Sequence, residues 1–162
     1  MPQSQSPAFH RHNHASCSGE MLQRADDLAR IEGLRLTPVR RRALEILLEE
    51  HRALGAYDVL ERLRADGFGS QPPVAYRALE FLVEHGLAHR IRRLNAFMAC
   101  MHPGEAHAPA FFICTSCDSV AELPEEELRS AVETAASKIG FAVERVNVEA
   151  IGICPSCAEQ GA

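Results

Sequence analysis

Apolar residues in the first half of the chain recur every three or four positions, in four separate segments. This spacing places them on one face of an amphipathic α-helix. Thr37 and Pro38 form a helix start signal, with Thr as the cap and Pro in the first turn. The pattern therefore predicts four helices, with apolar faces made by Met21, Leu22, Ala25, Leu28, Ala29 and Ile31; by Val39, Ala43, Leu44, Leu47 and Leu48; by Ala56, Val59, Leu60 and Leu63; and by Val74, Ala78, Leu79, Leu82 and Val83.

The spacing of the apolar residues changes after the fourth helix. Two short segments, Leu87–Ile91 and Ala96–Cys100, are typical of β-strands and flank a turn at Leu94–Asn95. Helices followed by such a hairpin form a winged helix, in which the helix after a tight turn enters the major groove of DNA. The break at Ser70–Pro73 precedes the fourth helix, which is therefore the predicted recognition helix.

Three strands and one helix are predicted in the second half of the chain. Phe111–Cys114 and Ser119–Leu123 are two predicted strands, and Phe141–Ile153 is the last one. Between them, a helix begins at Pro124 and ends at Gly140, and acidic residues in its first turn complement the helix dipole. Its apolar face consists of Leu128, Val132, Ala135, Ala136 and Ile139. The order strand-strand-helix-strand predicts a small α/β domain, so the fold class of the whole chain is α+β.

Composition suggests where the domains begin and end. Residues 1–19 are rich in Ser, Pro, Gln and His, which favours a disordered tail, although its histidines and Cys17 are able to bind metal ions. Residues 20–100 form the predicted winged-helix DNA-binding domain. Residues 101–109, rich in Pro, Gly and His, form a hinge loop. Residues 110–162 form the predicted dimerisation and metal-binding domain.

Charge is distributed unevenly along the 162 residues. From Leu22 to Cys100 there are 13 Arg against 11 acidic residues, whereas from Met101 to Ala162 there are 3 basic against 10 acidic residues. Arginine forms bidentate hydrogen bonds with phosphates and with guanine edges. The many arginines of the first half therefore agree with DNA binding, although solvated helix faces have the same composition. No apolar run approaches the roughly 20 residues of a membrane span, and the N-terminus lacks a signal sequence, so a cytoplasmic protein is expected.

Two Cys-x-x-Cys pairs stand at the two ends of the strand-helix-strand unit. Cys114 and Cys117 form the first pair, and Cys154 and Cys157 form the second. A structural zinc ion requires four thiolates on two such turns brought together by the fold. Disulfides and a thioredoxin-like redox pair are the alternatives, but a cytosolic protein keeps its thiols reduced and no companion redox fold is indicated. The spacing therefore predicts a closed zinc site, which leaves no open position for catalysis.

A second group of metal-binding residues is more dispersed. His89 lies in the predicted wing, Cys100 at its end, His102 and His107 in the hinge loop, and Glu122 after the first cysteine pair. Taken singly, the Cys is able to serve as a small core residue and the histidines as solvated loop residues. Together, one thiolate, two imidazoles and one carboxylate suit tetrahedral zinc better than harder octahedral ions such as Mn²⁺. A metal bound by residues of both domains would fix the angle between them.

The chain resembles the ferric uptake regulator family. The resemblance is carried by the segments Leu36–Arg40, Ala56–Leu60 and Tyr76–Leu79 and by the Cys114/Cys117 pair, and it covers nearly everything from Leu22 to Cys157. Within the family the chain is most similar to the zinc uptake regulator branch, because a cysteine stands at the hinge and the His-rich run of iron and peroxide sensors is missing.

The resemblance implies two zinc ions per subunit. The structural zinc falls on Cys114, Cys117, Cys154 and Cys157, and the regulatory zinc falls on His89, Cys100, His107 and Glu122. It also implies a homodimer that, when loaded with zinc, binds operator DNA and represses zinc uptake genes. Such a protein is not an enzyme.

The same resemblance assigns DNA contacts to Tyr57 and to Arg77, and an arginine bidentate to guanine is the most common specific contact. Tyr76 could contact the DNA backbone or a thymine methyl group, or it could pack under the wing. Arg40 and Arg92 are the expected phosphate contacts, together with neighbouring arginines. One departure from the family pattern is Val74, where a Thr is usual, so one hydroxyl contact is missing.

Three other functions compete with this prediction. An iron, manganese or peroxide sensor would use the same scaffold with a different metal. A metal-dependent hydrolase would require an open zinc position and a general base, and no His-Glu-x-x-His motif is present. A zinc-ribbon module that binds protein instead of DNA would leave the winged helix without a role.

Overall fold

The computed structural model describes residue 9 and residues 14–49, 52–105, 109–124 and 126–161. These residues form two compact units. The N-terminal unit consists of described residues 14–104, and the C-terminal unit consists of described residues 105–161 together with Phe9. Each unit is described separately below.

Four helices make up most of the N-terminal unit, as predicted. They are α1 (His14–Glu32), α2 (Pro38–Leu48), α3 (Ala56–Ala65) and α4 (Pro72–Glu84). The first helix begins six residues before residue 20, where the winged-helix domain was predicted to start, so residues 14–19 of the predicted disordered tail are helical. A tertiary contact accounts for this difference, because the Ser18 hydroxyl donates a hydrogen bond of 2.9 Å to the carbonyl oxygen of Leu48. His10 and His12 of the same tail lie outside the described residues.

The hydrophobic core of the N-terminal unit is built from the predicted apolar faces. Its largest fully buried side chains include Ile46, Leu47, Leu63, Leu79 and Leu82. Full burial of one such side chain stabilises the fold by about 1.5–3 kcal/mol. Ile31 was predicted to belong to this core and does not, since its side chain is 81% exposed near the end of α1.

At the start of α2, the backbone of Thr37 caps the helix as predicted, but its side chain does not. Thr37 occupies the cap position before Pro38, and its carbonyl oxygen accepts the first helical hydrogen bond from the Arg41 N–H at 2.9 Å. Its hydroxyl makes no capping hydrogen bond and is buried without a partner among the described residues. At the start of α3, the Asp58 carboxylate accepts a hydrogen bond of 2.9 Å from the Gly55 N–H.

The N-terminal unit ends in an antiparallel hairpin, the wing, formed by β1 (Ala88–Ile91) and β2 (Ala96–Ala99). Asn95 in the turn has a positive φ of 46°, a conformation that Asn tolerates better than most residues. Leu54 and Phe97 exchange two backbone hydrogen bonds of 2.8 Å, which tie the segment before α3 to the wing. Four helices followed by this hairpin confirm the predicted winged helix.

The C-terminal unit contains β3 (Pro109–Cys114), β4 (Val120–Pro124), α5 (Glu126–Ser137), β5 (Val148–Gly152) and α6 (Pro155–Glu159). The sheet has the order β4-β3-β5, with β4 antiparallel and β5 parallel to β3. This confirms the predicted order strand-strand-helix-strand and the α+β class. The short helix α6 was not predicted.

The start of the last strand and the start of the helix in the C-terminal unit differ from the prediction. The last strand was expected from Phe141 onward but begins at Val148, because the register with β3 starts at the pair Ala110–Val148 and offers no partner to earlier residues. The helix was expected to begin at Pro124, which instead ends β4 opposite Pro109.

The predicted apolar face of α5 lies at the surface of its unit. Leu128 and Val132 are 36% and 40% exposed, and Ile139 and Phe141, which follow the helix, are 80% and 63% exposed. Ala136 is the buried residue of this helix among those described. Over the described part of the chain, no helix is both long and apolar enough to cross a membrane.

Candidate metal centres and nucleic-acid interface

The four cysteines of the two Cys-x-x-Cys pairs come together at one end of the C-terminal sheet. Cys114 is the last residue of β3, and Cys117 lies in the turn before β4. Cys154 is the cap residue of α6, and Cys157 lies within that helix. Because β5 runs parallel to β3 and Gly152 pairs with Cys114, both turns leave the sheet at the same end.

The distances between these cysteines fit a tetrathiolate centre. All four Sγ atoms lie within 4.8 Å of one another, and the Sγ atoms of Cys117 and Cys154 are 3.8 Å apart. Tetrahedral zinc with Zn–S bonds of about 2.3 Å requires sulfur atoms roughly 3.8 Å apart. The cysteines are free thiols, so the donor set of the predicted zinc site is present and the disulfide alternative is not.

Backbone amides prepare part of this centre for a cation. Burial by itself would raise the pKa of Cys114, but hydrogen bonds from the backbone N–H groups of Cys154, Cys117 and Ser116 outweigh it and lower this pKa to about 6. The Cys154 N–H lies 3.3 Å from the Cys114 Sγ. In contrast, a hydrogen bond with the Cys154 side chain raises the pKa of Cys157 to about 12. The backbone donors therefore favour the thiolate form of Cys114, the form that binds a metal ion.

One polar neighbour of this centre was not predicted from the sequence. The side chains of Cys117 and Ser119 are 3.2 Å apart and hydrogen-bonded. Here the Cys117 thiol donates to the Ser119 hydroxyl oxygen. When Cys117 is a thiolate ligand, the hydroxyl would be the donor, and such a hydrogen bond orients the ligand. A serine two residues after the second cysteine of the pair is the signal that could have indicated this contact.

A second pair of metal-binding side chains lies within the N-terminal unit. His89 is half-buried on β1, and Cys100 follows β2 with 3% exposure. The antiparallel register, with the Cys100 N–H donating to the Leu87 carbonyl at 3.0 Å, brings the two residues together. A ring nitrogen of His89 and the Sγ of Cys100 lie within 4.8 Å of each other. The His102 backbone N–H donates a hydrogen bond of 3.4 Å to the same sulfur.

The other two predicted ligands of the regulatory site belong to the second half of the chain. Glu122 lies on β4, opposite Phe111, and its side chain is buried with 5% exposure. A carboxylate at this depth requires hydrogen bonds or a cation, because burial of an uncompensated charge is costly. His107 lies outside the described residues.

Several predicted DNA-contacting residues are exposed on the N-terminal unit. Tyr76, 40% exposed, and Arg77 lie on α4. Tyr57, 63% exposed, lies in the first turn of α3, and Arg92 is exposed in the turn of the wing. These side chains are accessible to a partner on this unit.

Arg40, the other predicted phosphate contact, makes contacts within the protein. Its guanidinium lies 3.7 Å from the centre of the Phe81 ring and donates a hydrogen bond of 2.7 Å to the Arg35 carbonyl. Arg41 is similarly paired, with Asp26 and with Glu45. These contacts join α2 to α1 and to α4.

A unit of four helices and a wing, followed along the chain by a unit with a tetrathiolate centre, defines a winged-helix regulator of the metal-binding class. Comparison with protein families identifies the family of regulators to which the chain belongs. The chain belongs to the ferric uptake regulator family, whose model matches residues 31–151.

Several relatives at 34–36% identity are zinc uptake regulators. The chain is 36% identical to the zinc uptake regulation protein of Escherichia coli (strain K12) over 141 residues, which cover 86% of this chain and 82% of the relative. It is similar to a solved zinc uptake regulator complexed with zinc and DNA, with a TM-score of 0.84, 34% identity, and coverage of 89% of this chain and 97% of that chain.

A third relative, XcZur, has been solved in two forms. Its holo form has a TM-score of 0.79 with this chain at 34% identity, covering 86% of this chain and 98% of that one. Its apo form has a TM-score of 0.52 at the same 34% identity, covering 88% and 99%. The two forms of that protein therefore differ in shape from each other.

Proposed function

We propose that this chain is a zinc-responsive transcriptional repressor of zinc uptake genes, which acts in the cytoplasm and binds operator DNA as a zinc-loaded homodimer. The observation that carries this proposal is the likeness to a zinc uptake regulator solved with zinc and DNA, which extends over 97% of that chain. The tetrathiolate donor set and the exposed side chains of α4 support it independently.

The structural zinc of the proposal binds to Cys114, Cys117, Cys154 and Cys157. Bound there, it would cross-link β3 to α6 through four metal–sulfur bonds and leave no open coordination position. The C-terminal unit has a small sheet and a largely exposed helix, so a metal cross-link would contribute a large part of its stability.

The regulatory zinc of the proposal binds to His89, Cys100, His107 and Glu122. Two features of the described residues support this assignment: His89 and Cys100 have their ligand atoms within 4.8 Å, and Glu122 is a buried carboxylate. With His107, the set offers one thiolate, two imidazoles and one carboxylate, which suits tetrahedral zinc. The protein would then bind two zinc ions per subunit.

Metal would act by selecting one shape of the protein. The ligands come from the wing and from the second half of the chain, so their joint binding favours one arrangement of these parts. The contrast between the holo and apo forms of XcZur supports such a change in a relative. Operator binding and zinc binding must then strengthen each other, by a coupling typically of about 1–3 kcal/mol.

The homodimer is supported by the apolar surface of the C-terminal unit. Leu128, Val132, Ile139 and Phe141 are large apolar residues exposed on or just after one helix. Several large apolar residues exposed near one another in the sequence are typical of a contact with a partner, and a second copy of the chain presents the same residues.

DNA recognition in this proposal rests on α4. Arg77 reads a guanine edge, Tyr76 and Tyr57 contact the backbone or a thymine methyl, and Arg92 binds a phosphate from the wing. The Arg40 guanidinium already contacts the Phe81 ring and the Arg35 carbonyl oxygen. Arg40 therefore contributes to phosphate binding only through its remaining N–H groups.

The proposal is tested by measuring the affinity of the purified protein for the promoter of its zinc importer genes. Gel-shift titrations at constant ionic strength would compare the chain with its regulatory site empty, loaded with zinc, and exposed to Fe²⁺ or Mn²⁺. We expect tight binding with zinc only. Equal affinities with and without zinc contradict the proposal, and a response to iron or manganese alone identifies a different sensor of the same family.

A further inference from the structure

The first part of the predicted hinge loop, residues 101–104, belongs to the N-terminal unit. The Met101 side chain packs against the hydrophobic core of this unit. The His102 N–H donates a hydrogen bond of 3.4 Å to the Cys100 Sγ, so the chain turns back toward this sulfur directly after the wing. A proposed ligand of the regulatory zinc therefore receives a backbone hydrogen bond from the loop that follows it.

Gly104 lies in the same turn and contacts α1. Its φ of 82° is in the left-handed region, which disfavours residues other than glycine. A Cβ added at this position would lie 3.3 Å from the Leu28 Cδ1, closer than an ordinary van der Waals contact. Leu28 itself lies on α1 and packs against the core of the unit. Backbone conformation and the close approach of Leu28 therefore both favour glycine at residue 104.

We propose that Gly104 and Leu28 are positioning residues for Cys100. In this proposal α1 supports the turn of residues 101–104, and the turn directs the His102 N–H at the Cys100 sulfur. The support thereby sets the zinc concentration at which the regulatory site fills. The inference rests on the proposed function, because it concerns the regulatory zinc, and neither positioning residue is a ligand.

The hydrogen bond to sulfur is the step that connects the turn with the metal. A backbone N–H that donates to a thiolate ligand stabilises its charge and fixes its orientation. Cys100 is 3% exposed, so water is a poor substitute for this donor. Loss of such a partner typically lowers metal affinity by about 10–100-fold. A displacement of the turn from Leu28 should therefore weaken zinc binding at a distance from the ligands.

The test is the zinc concentration that gives half-maximal operator binding, measured on the full chain in zinc buffers at constant ionic strength. Gly104→Ala is expected to raise this concentration about tenfold. Operator affinity at saturating zinc should be unchanged, because the filled site is the same. In protein whose structural site holds zinc, cobalt(II) added to the regulatory site should show an altered sulfur-to-cobalt charge-transfer band in this variant.

The matched control is Gly67→Ala. Gly67 lies in the turn after α3 of the same unit and has nearly the same φ, 83°. No atom of the described residues would come within 4 Å of a Cβ added there, so this variant has the backbone strain without the close contact. Thermal unfolding should show a similar destabilisation of both variants, but Gly67→Ala should leave the half-maximal zinc concentration at the wild-type value.

A double-mutant cycle isolates the contact with α1. Leu28→Ala removes the support without straining the turn, and should raise the half-maximal zinc concentration by a smaller factor than Gly104→Ala. In the Leu28→Ala background, the added methyl group of Gly104→Ala no longer meets the Leu28 side chain. The effect of Gly104→Ala should therefore be smaller there than in the wild-type chain.

Three outcomes overturn the inference. The first is a wild-type zinc requirement in Gly104→Ala, and the second is an equal shift in Gly67→Ala. The third is a lower operator affinity at saturating zinc with no shift in the zinc requirement, which would place the effect of Gly104 on DNA binding instead of on Cys100. Operator binding by the wild-type chain that does not depend on zinc would contradict the proposed function itself.

Discussion

Arg77 and Arg40 belong to the same winged helix, but the surroundings of the two side chains give them different roles. Arg77 lies exposed on α4, whereas the guanidinium of Arg40 stacks on Phe81 and donates to the Arg35 carbonyl. A cation–π contact contributes about 0.5–1 kcal/mol at a partly exposed site. One arginine is thus available to DNA, and the other joins two helices of its unit.

Replacement of these two residues should separate DNA recognition from stability. Arg77→Ala is expected to weaken operator binding by about 1–3 kcal/mol and to relax the preference for one base pair, with no loss of thermal stability. Arg40→Ala is expected to lower the melting temperature. Fluorescence anisotropy with operator and mutated DNA, together with thermal unfolding, checks both. Equal losses of affinity for operator and random DNA in Arg77→Ala would contradict the assigned base contact.

Cys100 and Cys17 are the two cysteines of the N-terminal unit among the described residues, and Cys100 is a predicted zinc ligand whereas Cys17 is not part of the predicted regulatory site. Cys100→Ser should remove one zinc per subunit and the zinc dependence of operator binding, because a hydroxyl is a poor replacement for a thiolate ligand of zinc. Cys17→Ser should change neither. Elemental analysis and gel shifts give the readout, and an unchanged zinc content in Cys100→Ser would remove this residue from the ligand set.

At the scale of secondary structure, the tetrathiolate centre joins elements that are distant in the sequence. The pairs that it unites lie on β3 and its following turn, and on α6. Among the described residues of α5 only Ala136 is buried, so the packing of this helix contributes little to the stability of the unit. The metal is therefore expected to determine whether the C-terminal unit is folded.

Removal of zinc by a strong chelator at neutral pH should unfold the C-terminal unit while the core helices of the N-terminal unit persist. Amide hydrogen exchange should show lost protection in β3 and β5 and retained protection in α2, α3 and α4. Restored protection after zinc is added back is the control. Protection of β3 that survives full metal removal would show that zinc is not required for this fold.

Elements with strong apolar periodicity could be predicted from the sequence, and those that depend on distant contacts could not. The strands of the wing were located to within one residue, because the spacing changes sharply after α4. The start of α1 was placed too late because Ser18 bonds to Leu48, a contact that sequence spacing does not reveal. The last strand was placed too early because its length is set by the register with β3.

The candidate sites also divide into those with a local sequence pattern and those that depend on distant contacts. The two Cys-x-x-Cys pairs have a recognisable spacing, and their four sulfur atoms lie together. His89 and Cys100 became a pair only through the register of the wing, and their grouping in the sequence rested on residue types and on resemblance. His107 and the joint binding of four ligands remain predictions.

At the scale of the whole molecule, the proposed homodimer would connect zinc sensing to paired DNA half-sites through the exposed apolar residues of the C-terminal unit. A dimer places two recognition helices on one operator, so its loss should abolish specific binding without affecting either metal site. The surface formed by Leu128, Val132 and Ile139 is the part of the chain on which this depends.

Val132→Glu is expected to dissociate the dimer, because it would bury a charge in an apolar contact. Ser130→Glu, an exposed position on the same helix about half a turn away, is the control and should remain dimeric. Sedimentation equilibrium and zinc analysis give the readout. A dimer that persists in Val132→Glu would move the contact to another surface.

The arginines of α2 also bear on how DNA binding responds to salt. Arg40 is held by Phe81 and Arg35, Arg41 by Asp26 and Glu45, and Arg42 by Asp66 and Glu49. Side chains engaged in this way displace few counterions from the phosphate backbone. The logarithm of operator affinity should therefore fall with the logarithm of sodium chloride concentration along a shallower slope than the arginine content of the unit suggests.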